Sequence, residues 1–411
     1  MQRNSLYIVY AGLWLGVLSM VYFTGLALCL PLWVMVLLIP AACFGLWWSV
    51  LRHLPEAAHR LSRRDEGIGI AAILLALGAG VFLARKYGDW DAVYIYNLAA
   101  RFLQDPEHWR QLFLYRDRFS HADYPLHLPA SVAFLQRISG GGYKEWVPVL
   151  IALFYTAAIP LLLFFETVTR HRVLAIAVLA TILGNTYYLN NGMIQCADVP
   201  LSFYLLLAFV SIQRYREQPA DTVWLVVYGL SLGLCAWTKN EGLLYALILL
   251  LCHARELWRH WRCLFWGIVP PLLVLLWFKM AYAPSNDLVA GFSGQGLVAR
   301  FTGKERYKLI ATAYSRYIGD YFYLPQMALA AYFFLCIYRH RMPHRDLLPF
   351  LGFALAMTVV YLCTYHDLEW HLENSLSRIL LQWYPAFWFV LATQLARLMP
   401  AGAMSTVAGD K

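Results

Sequence analysis

A chain of 411 residues that is 61% hydrophobic and 14% charged, with 16 Trp and 27 Tyr, has too little polar surface for a water-soluble domain of that length and reads as a polytopic membrane protein. Its net charge of +9 is scattered over short loops rather than gathered in one patch, which argues against a nucleic-acid partner and leaves the cations as topology signals. The eight Cys lie in or beside apolar runs without a CxxC pair, so no disulfide framework or zinc site is indicated. No Walker loop or dinucleotide fingerprint provides for a cytoplasmic nucleotide donor.

In chain order, apolar runs cover 6–28, 31–51, 67–84, 147–166, 173–189, 199–212, 223–237, 242–252, 263–282, 324–338, 347–363 and 379–395. The expected fold is therefore all-α, with about 12 transmembrane helices, some of them short for a perpendicular crossing of roughly 20 residues. The first run is longer than a signal-peptide core and no small-residue cleavage site follows it, so it reads as a retained helix. Loops of one parity carry Arg52, Arg60, Arg63 and Arg64, then Arg170 with Arg172, Arg214 with Arg216, Arg255 with Arg259 and Arg262, and Arg339 with Arg341 and Arg345. The positive-inside rule places these in the cytoplasm. Loops 86–146, 190–198, 239–241, 283–323 and 365–378 then face outward. Three regions follow: 1–66 with two helices and a basic loop, a membrane core over 67–398, and a short cytoplasmic tail at 399–411.

With no room for a soluble catalytic domain, a site must be built from helix ends and loops. Loop 86–146 opens on Gly88-Asp89-Trp90-Asp91 where a span ends, and ionisable groups at such an edge are costly unless used or solvated. A helix from Asp91 to Leu103 would put Asp91, Tyr94, Asn97 and Arg101 on one face at about 100° per residue; ordinary N-capping by Asp91 and snorkelling by Arg101 explain the same residues without chemistry. The Asp-x-Asp spacing suits a divalent metal, although two carboxylates fall short of an oxygen cage. His121 and Asp123 precede Pro125 and an apolar stretch, 126–138, expected to lie flat in the headgroup zone. Asp198 starts a crossing two residues before Pro200, as a helix cap would. Lys239 and Glu241 occupy the corner Lys239-Asn240-Glu241-Gly242, which Asn and Gly alone would turn. Residues 365–378 pack His366, His371, Asp367, Glu369, Glu373 and Arg378 before the last span, without an HExxH or other fixed metal spacing. Arg300, Lys304, Arg306, Lys308 and Arg316 make an outward loop basic against the topology rule, which asks for an anionic partner such as lipid headgroups or a carrier phosphate.

Taken together, Gly88-Asp89-Trp90-Asp91-Ala92, Asn97-Leu98-Ala99-Ala100-Arg101-Phe102, Asp123-Tyr124-Pro125-Leu126-His127-Leu128-Pro129, Ala197-Asp198-Val199-Pro200-Leu201, Lys239-Asn240-Glu241-Gly242 and Glu369-Trp370-His371 with Ser375-Leu376-Ser377-Arg378 resemble, in that order, the membrane glycosyltransferases of the GT-C superfamily. The bacterial protein-mannosyltransferase-like branch is the nearest. The resemblance implies a GT-C-like core at 67–398 and inverting sugar transfer from a polyprenyl-phosphate-linked donor at the extracytoplasmic face of the inner (plasma) membrane. It makes Asp91 the base, with Asp89 the less favoured neighbour. The family places its first large outer loop after its first helix, whereas two extra spans precede it here.

The bond change asks for a carboxylate to take the acceptor proton and for cations at the departing phosphate. Lys239 is the first choice for the phosphate, with Arg378 or the Arg300–Arg316 group as others. His371 and Glu369 would orient phosphate or sugar hydroxyls, and Glu241, Arg101 and Asp198 belong to the same donor-binding set. His121, Asp123 and Asn97 would serve the acceptor or organise the loop. No cofactor is firmly expected, a divalent metal being the one to consider, and the acceptor is a lipid, a glycan or a protein. A transporter or lipid-carrier flippase, a polysaccharide polymerase or ligase, and a scaffold are the alternatives. Acids clustered at one membrane face rather than at the midplane count against transport.

Overall fold

The computed structural model describes residues 3–54, 61–114, 121–284, 297–364 and 366–399. Arg60, Tyr365, the centre of the 283–323 loop, part of the 86–146 loop and nearly all of the expected tail lie outside them. Among the described residues the chain is all-helical. The helices are α1 (Arg3–Ala27), α2 (Leu32–Ser49), α3 (Arg63–Leu83), a π-helical turn (Ala92–Tyr96) running into α4 (Asn97–Leu103), α5 (Gln111–Leu114), α6 (His127–Ile138) and α7 (Trp146–Thr167). Next come α8 (Arg172–Leu183), α9 (Thr186–Met193), α10 (Asp198–Glu217), α11 (Val223–Thr238), α12 (Asn240–Cys252), α13 (Ala254–Trp258) and α14 (Trp261–Ala281). After residue 296 the chain forms α15 (Leu297–Thr302), α16 (Lys304–Tyr321), α17 (Tyr323–Tyr338), α18 (Leu348–Cys363) and α19 (Leu368–Leu398).

Every apolar run read from the sequence is helical. Seven helices among the described residues are long and apolar enough to span a bilayer, or up to nine if each of two bent pairs is one span. The pairs are α8 with α9, bent by 59°, and α16 with α17, bent by 97°. α11 and α12 are apolar but short. These helices mark a membrane-embedded protein.

α10 forms the centre: its residues from Asp198 to Gln213 are all buried. It packs against α11, α19 and α7, and α11 lies along α14. α1 belongs to the same interior, packing on α6 and α7, and the Tyr22 hydroxyl donates to the Leu103 carbonyl at 2.7 Å. α2 stays at the periphery.

Charge collects at the two ends of α10 and not between them. From Asp198 to Arg214 is about 24 Å along a helix rising 1.5 Å per residue. At the Arg214 end, that guanidinium bonds the fully buried Glu166 at 2.8 Å through Nε. Beside it Arg216 bonds Glu256 at 2.9 Å and Asp346 at 2.6 Å, and Arg172 pairs with Asp65 at 2.8 Å. This is the end that the positive-inside rule assigns to the cytoplasm. Asp198 marks the other.

Three expectations change. The stretch 126–138 does not lie at a lipid surface: α6 buries His127 to Phe134 continuously and sits between α1, α4 and α7, because its small and polar positions face other helices instead of headgroups. Residues 368–378 are not loop but the opening turns of α19, started by Asp367, whose carboxylate accepts the Trp370 N–H at 2.9 Å. The basic outward loop is also not a single patch. Arg300 donates to the Cys363 carbonyl at 2.9 Å and Arg306 to the Tyr361 carbonyl at 3.0 Å, so both cap the C-terminal end of α18, where free carbonyls and the helix dipole favour cations. Lys304 and Lys308 remain exposed. Arg306→Met should therefore lower the melting temperature in detergent, by a stability loss of about 0.5–1.5 kcal/mol, whereas Lys308→Met should leave it unchanged.

Candidate functional site

The site begins with a glycine. Gly88 takes φ +76°, in the left-handed region that side chains avoid, and a Cβ there would meet the Ile194 carbonyl at 2.6 Å. That close approach lets the Asp89 N–H bond the Ile194 carbonyl at 3.3 Å. Gln195 pins the same junction, donating to the Arg85 carbonyl at 2.6 Å and accepting from Asn97 Nδ2 at 2.8 Å.

The π-helical turn then alters the face expected from a regular helix. A π turn holds more residues than an α turn, so side chains beyond it are rotated. Asn97 points inward and is buried. Tyr94 is exposed and packs on Trp90, ring centroids 5.0 Å apart. Arg101 is exposed, its guanidinium 4.3 Å from the Tyr143 ring centroid. Only Asp91 of the four reaches the polar cluster. Asp89 turns back to its own chain, accepting the Trp90 N–H at 2.9 Å, with Arg85 at 3.9 Å.

At the heart of the cluster is Asp198, 2% exposed at the start of α10. Its Oδ1 accepts from Lys239 Nζ at 2.9 Å and Gln382 Nε2 at 2.6 Å. Its Oδ2 takes Arg378 Nε at 3.0 Å and Nη2 at 2.7 Å. The remaining arm of Arg378, Nη1, bonds the Asp91 carboxylate. Lys239 also reaches Glu241 at 3.3 Å. Burial alone would disfavour the Lys239 ammonium, but Asp198 and Glu241 outweigh it and hold its pKa well above the ordinary lysine value.

A second branch joins at the next residue. Asn240 Nδ2 donates to Asp123 Oδ2 at 2.8 Å, and Lys279 Nζ donates to Asn240 Oδ1 at 2.8 Å with Asp123 Oδ2 at 3.7 Å. Loop residues, the α11–α12 corner, α14 and α19 thus meet at one place. Below them, Trp237 Nε1 donates to Ser19 Oγ at 3.0 Å, Ser19 meets His127 Nδ1 at 3.0 Å, and His127 Nε2 meets the Tyr155 hydroxyl at 2.9 Å. Burial lowers the His127 pKa to about 3, so this imidazole is a neutral hydrogen-bonding floor and carries no charge at neutral pH.

Of the residues singled out in the sequence, Asp91, Asp198, Lys239, Glu241, Arg378 and Asp123 are brought into one network. His121 and His371 stand at its rim. His121 stacks on Tyr124, centroids 4.6 Å apart, and His371 lies within electrostatic reach of Glu241 and His121, its Nδ1 2.9 Å from Thr364 Oγ1. Glu369 is exposed on the first turn of α19, outside the described bonds of the network. Lys279, Asn240, Gln195 and Gln382 were not among the candidates. Lys279 had a signal: it is the one charged residue between Cys263 and Tyr282, and an ion inside an apolar run is a functional candidate by default.

Among the described residues no three His, Cys, Asp or Glu converge on a metal-sized site. No family model, curated protein or solved structure matches this chain. What the arrangement can do follows from exposure. Asp198 and Lys239 are sealed, whereas the Asp91 side chain keeps 25% of its surface and Arg378 22%. An accessible carboxylate oriented by a guanidinium can take a proton from a hydroxyl, and the same guanidinium can meet an oxyanion.

Proposed function

We propose that the chain is an integral membrane glycosyltransferase with about twelve helices in its membrane domain, a GT-C-like core and an extracytoplasmic site. It moves a sugar from a polyprenyl-phosphate-linked donor to an acceptor hydroxyl with inversion. The observation that carries this reading is Asp91: an accessible carboxylate at the end of a membrane span, oriented by Arg378, which is itself fixed by buried Asp198. The absence of charged residues along α10 between Asp198 and Arg214 favours transfer at one face over passage through the middle.

The acceptor oxygen attacks the anomeric carbon as its proton passes to Asp91. The bond from that carbon to the phosphate oxygen breaks, and the electron pair leaves with the polyprenyl phosphate. Arg378 and Lys279 are the accessible cations for the developing charge, while Lys239 works from behind by holding Asp198 in place. His371 and His121 border the sugar, and the acceptor is a lipid, a glycan or a protein.

The test is transfer of labelled sugar from a panel of polyprenyl-phosphate sugars by purified protein in lipid. Asp91→Asn should reduce kcat about 10²- to 10⁴-fold, the usual contribution of a general base, with an unchanged melting temperature, and Asp89→Asn should stay near the native rate. Full activity in Asp91→Asn would displace the base to another residue; native protein inert with every donor would remove the transferase reading.

A further inference from the structure

The cations at the Arg214 end of α10 fall into two groups. Arg170, Arg172, Arg214, Arg216 and Arg345 are paired with carboxylates. Arg255, Arg259 and Arg262 are exposed and have no carboxylate partner among the described residues. The sequence holds one acid between residues 242 and 286, Glu256, and it is taken by Arg216 at 2.9 Å and by Arg345. The corner joining α13 to α14 therefore carries three uncompensated charges. Its packing explains their exposure. His253 and Leu257 are buried and the His260 ring packs on Tyr215, centroids 6.1 Å apart, which sets positions 253, 257 and 260 against the bundle and turns 255, 258, 259 and 262 outward. Among them stands tryptophan: Trp258 is 82% exposed, Trp261 53% and Trp266 71%. α14 has membrane-crossing length and buries only the stripe Gly267, Pro271, Leu275 and Phe278, so Phe265, Leu273 and Leu276 face outward with the tryptophans. An apolar helix face with that much bare aromatic surface belongs against acyl chains, and Trp at its end belongs at headgroup level.

We infer that the α13–α14 corner is a binding site for an anionic phospholipid of the leaflet at the Arg214 end, its phosphate held by Arg255, Arg259 and Arg262 and its chains lying along the outward face of α14. The occupant follows from the chemistry on the two sides of the membrane edge. Guanidinium forks match phosphate oxygens. A soluble phosphate would leave the tryptophans bare, and a zwitterionic headgroup would bring its own cation to three that are already unpaired. An anionic lipid supplies both halves at once, charge for the arginines and hydrocarbon for Trp261, Phe265 and Trp266. Arg63 and Arg64 are exposed at the start of α3 but lack this pairing of features, since Asp65 and Glu66 follow them directly and α3 contains no Trp. The lipid site stands at the opposite end of α10 from Asp198, and it does not depend on what the outer cluster catalyses.

The experiment titrates the purified chain in detergent with dioleoyl-phosphatidylglycerol, dioleoyl-phosphatidylcholine and inorganic phosphate, and reads bound lipid by native mass spectrometry. The native protein should prefer phosphatidylglycerol on the order of 10²-fold, about fivefold for each guanidinium. The triple variant Arg255→Gln/Arg259→Gln/Arg262→Gln should lose that preference. Its melting temperature in lipid-free detergent should stay at the native value, because all three side chains are exposed and unpaired. Arg63→Gln/Arg64→Gln/Arg341→Gln removes the same charge from other exposed cations at that end and should leave the preference in place. Equal affinity of the native protein for the two lipids overturns the inference. An equal loss in the two triple variants does so as well, since it would reduce the corner to general surface charge. Inorganic phosphate that displaces phosphatidylglycerol from the native protein at millimolar concentration would mark a site for the free ion and overturn the lipid assignment.

Discussion

Asp198→Ala is expected to destabilise the protein by about 3–5 kcal/mol, the loss seen when one partner of a buried ion pair is removed. The carboxylate accepts from Lys239, from Gln382 and twice from Arg378, at distances between 2.6 and 3.0 Å. Without it Lys239 keeps only Glu241 at 3.3 Å to offset an ammonium that is 5% exposed. Arg378 loses its anchor and with it the fixed orientation of Asp91. Since whole domains are stable by only about 5–15 kcal/mol, the variant should give a sharply reduced folded yield and a much lower melting temperature in detergent. The pairing of charge, not the volume of the side chain, is the cause. Asp198→Asn combined with Lys239→Met, which removes both charges together, should therefore recover part of the loss relative to Asp198→Ala. A single Asp198→Ala variant melting with the native protein would show that the clamp does not hold these helices together.

The helices were legible because apolar runs of this length have few other structures open to them in a bilayer. Their ends were less so. The charge density of 365–378 suggests a loop, yet Asp367 followed by Glu369 is an N-cap and an acidic first turn, both helix-start signals. The pattern of 126–138 suggests an interfacial helix, because an apolar helix with small and polar positions has the same sequence whether its second face meets water or other helices. The tasks of Arg300 and Arg306 were hidden because their partners are main-chain carbonyls on α18, which no side-chain pattern announces. At the site, Asp91, Asp198, Lys239 and Arg378 were each visible as ions at the edges of spans. Their convergence was not. Asp91 and Arg378 are 287 residues apart in the chain, and a contact of that separation is set by packing and not by local pattern. The one-face expectation for Asp91, Tyr94, Asn97 and Arg101 failed for a local reason: it assumed 100° per residue through a turn that is π-helical.

Gly242→Ala is expected to damage stability and activity together, because the methyl group has nowhere to go. A Cβ at this position would lie 1.9 Å from the Cys235 carbonyl oxygen and 2.4 Å from its carbon. Those atoms are backbone of α11, so no rotamer change relieves the clash and the first turn of α12 must move away from the last turn of α11. Overpacking of this kind costs about 1–3 kcal/mol. The functional effect should be the larger one. The displaced turn is the corner carrying Lys239, Asn240 and Glu241, and the Gly242 N–H closes that corner on the Lys239 carbonyl at 3.0 Å. A shift of about 1 Å in catalytic geometry can cost on the order of 10²-fold in rate, so the proposed sugar transfer should fall by about that factor in the fraction that remains folded. Gly45→Ala is the matched control: nothing lies within 4 Å of a Cβ built there, and within a helix it should be neutral or stabilising by up to about 1 kcal/mol. Equal melting temperatures and equal turnover for Gly242→Ala and Gly45→Ala would mean that the α11–α12 corner gives way without disturbing the residues it holds. The link from that glycine to the site would then be broken.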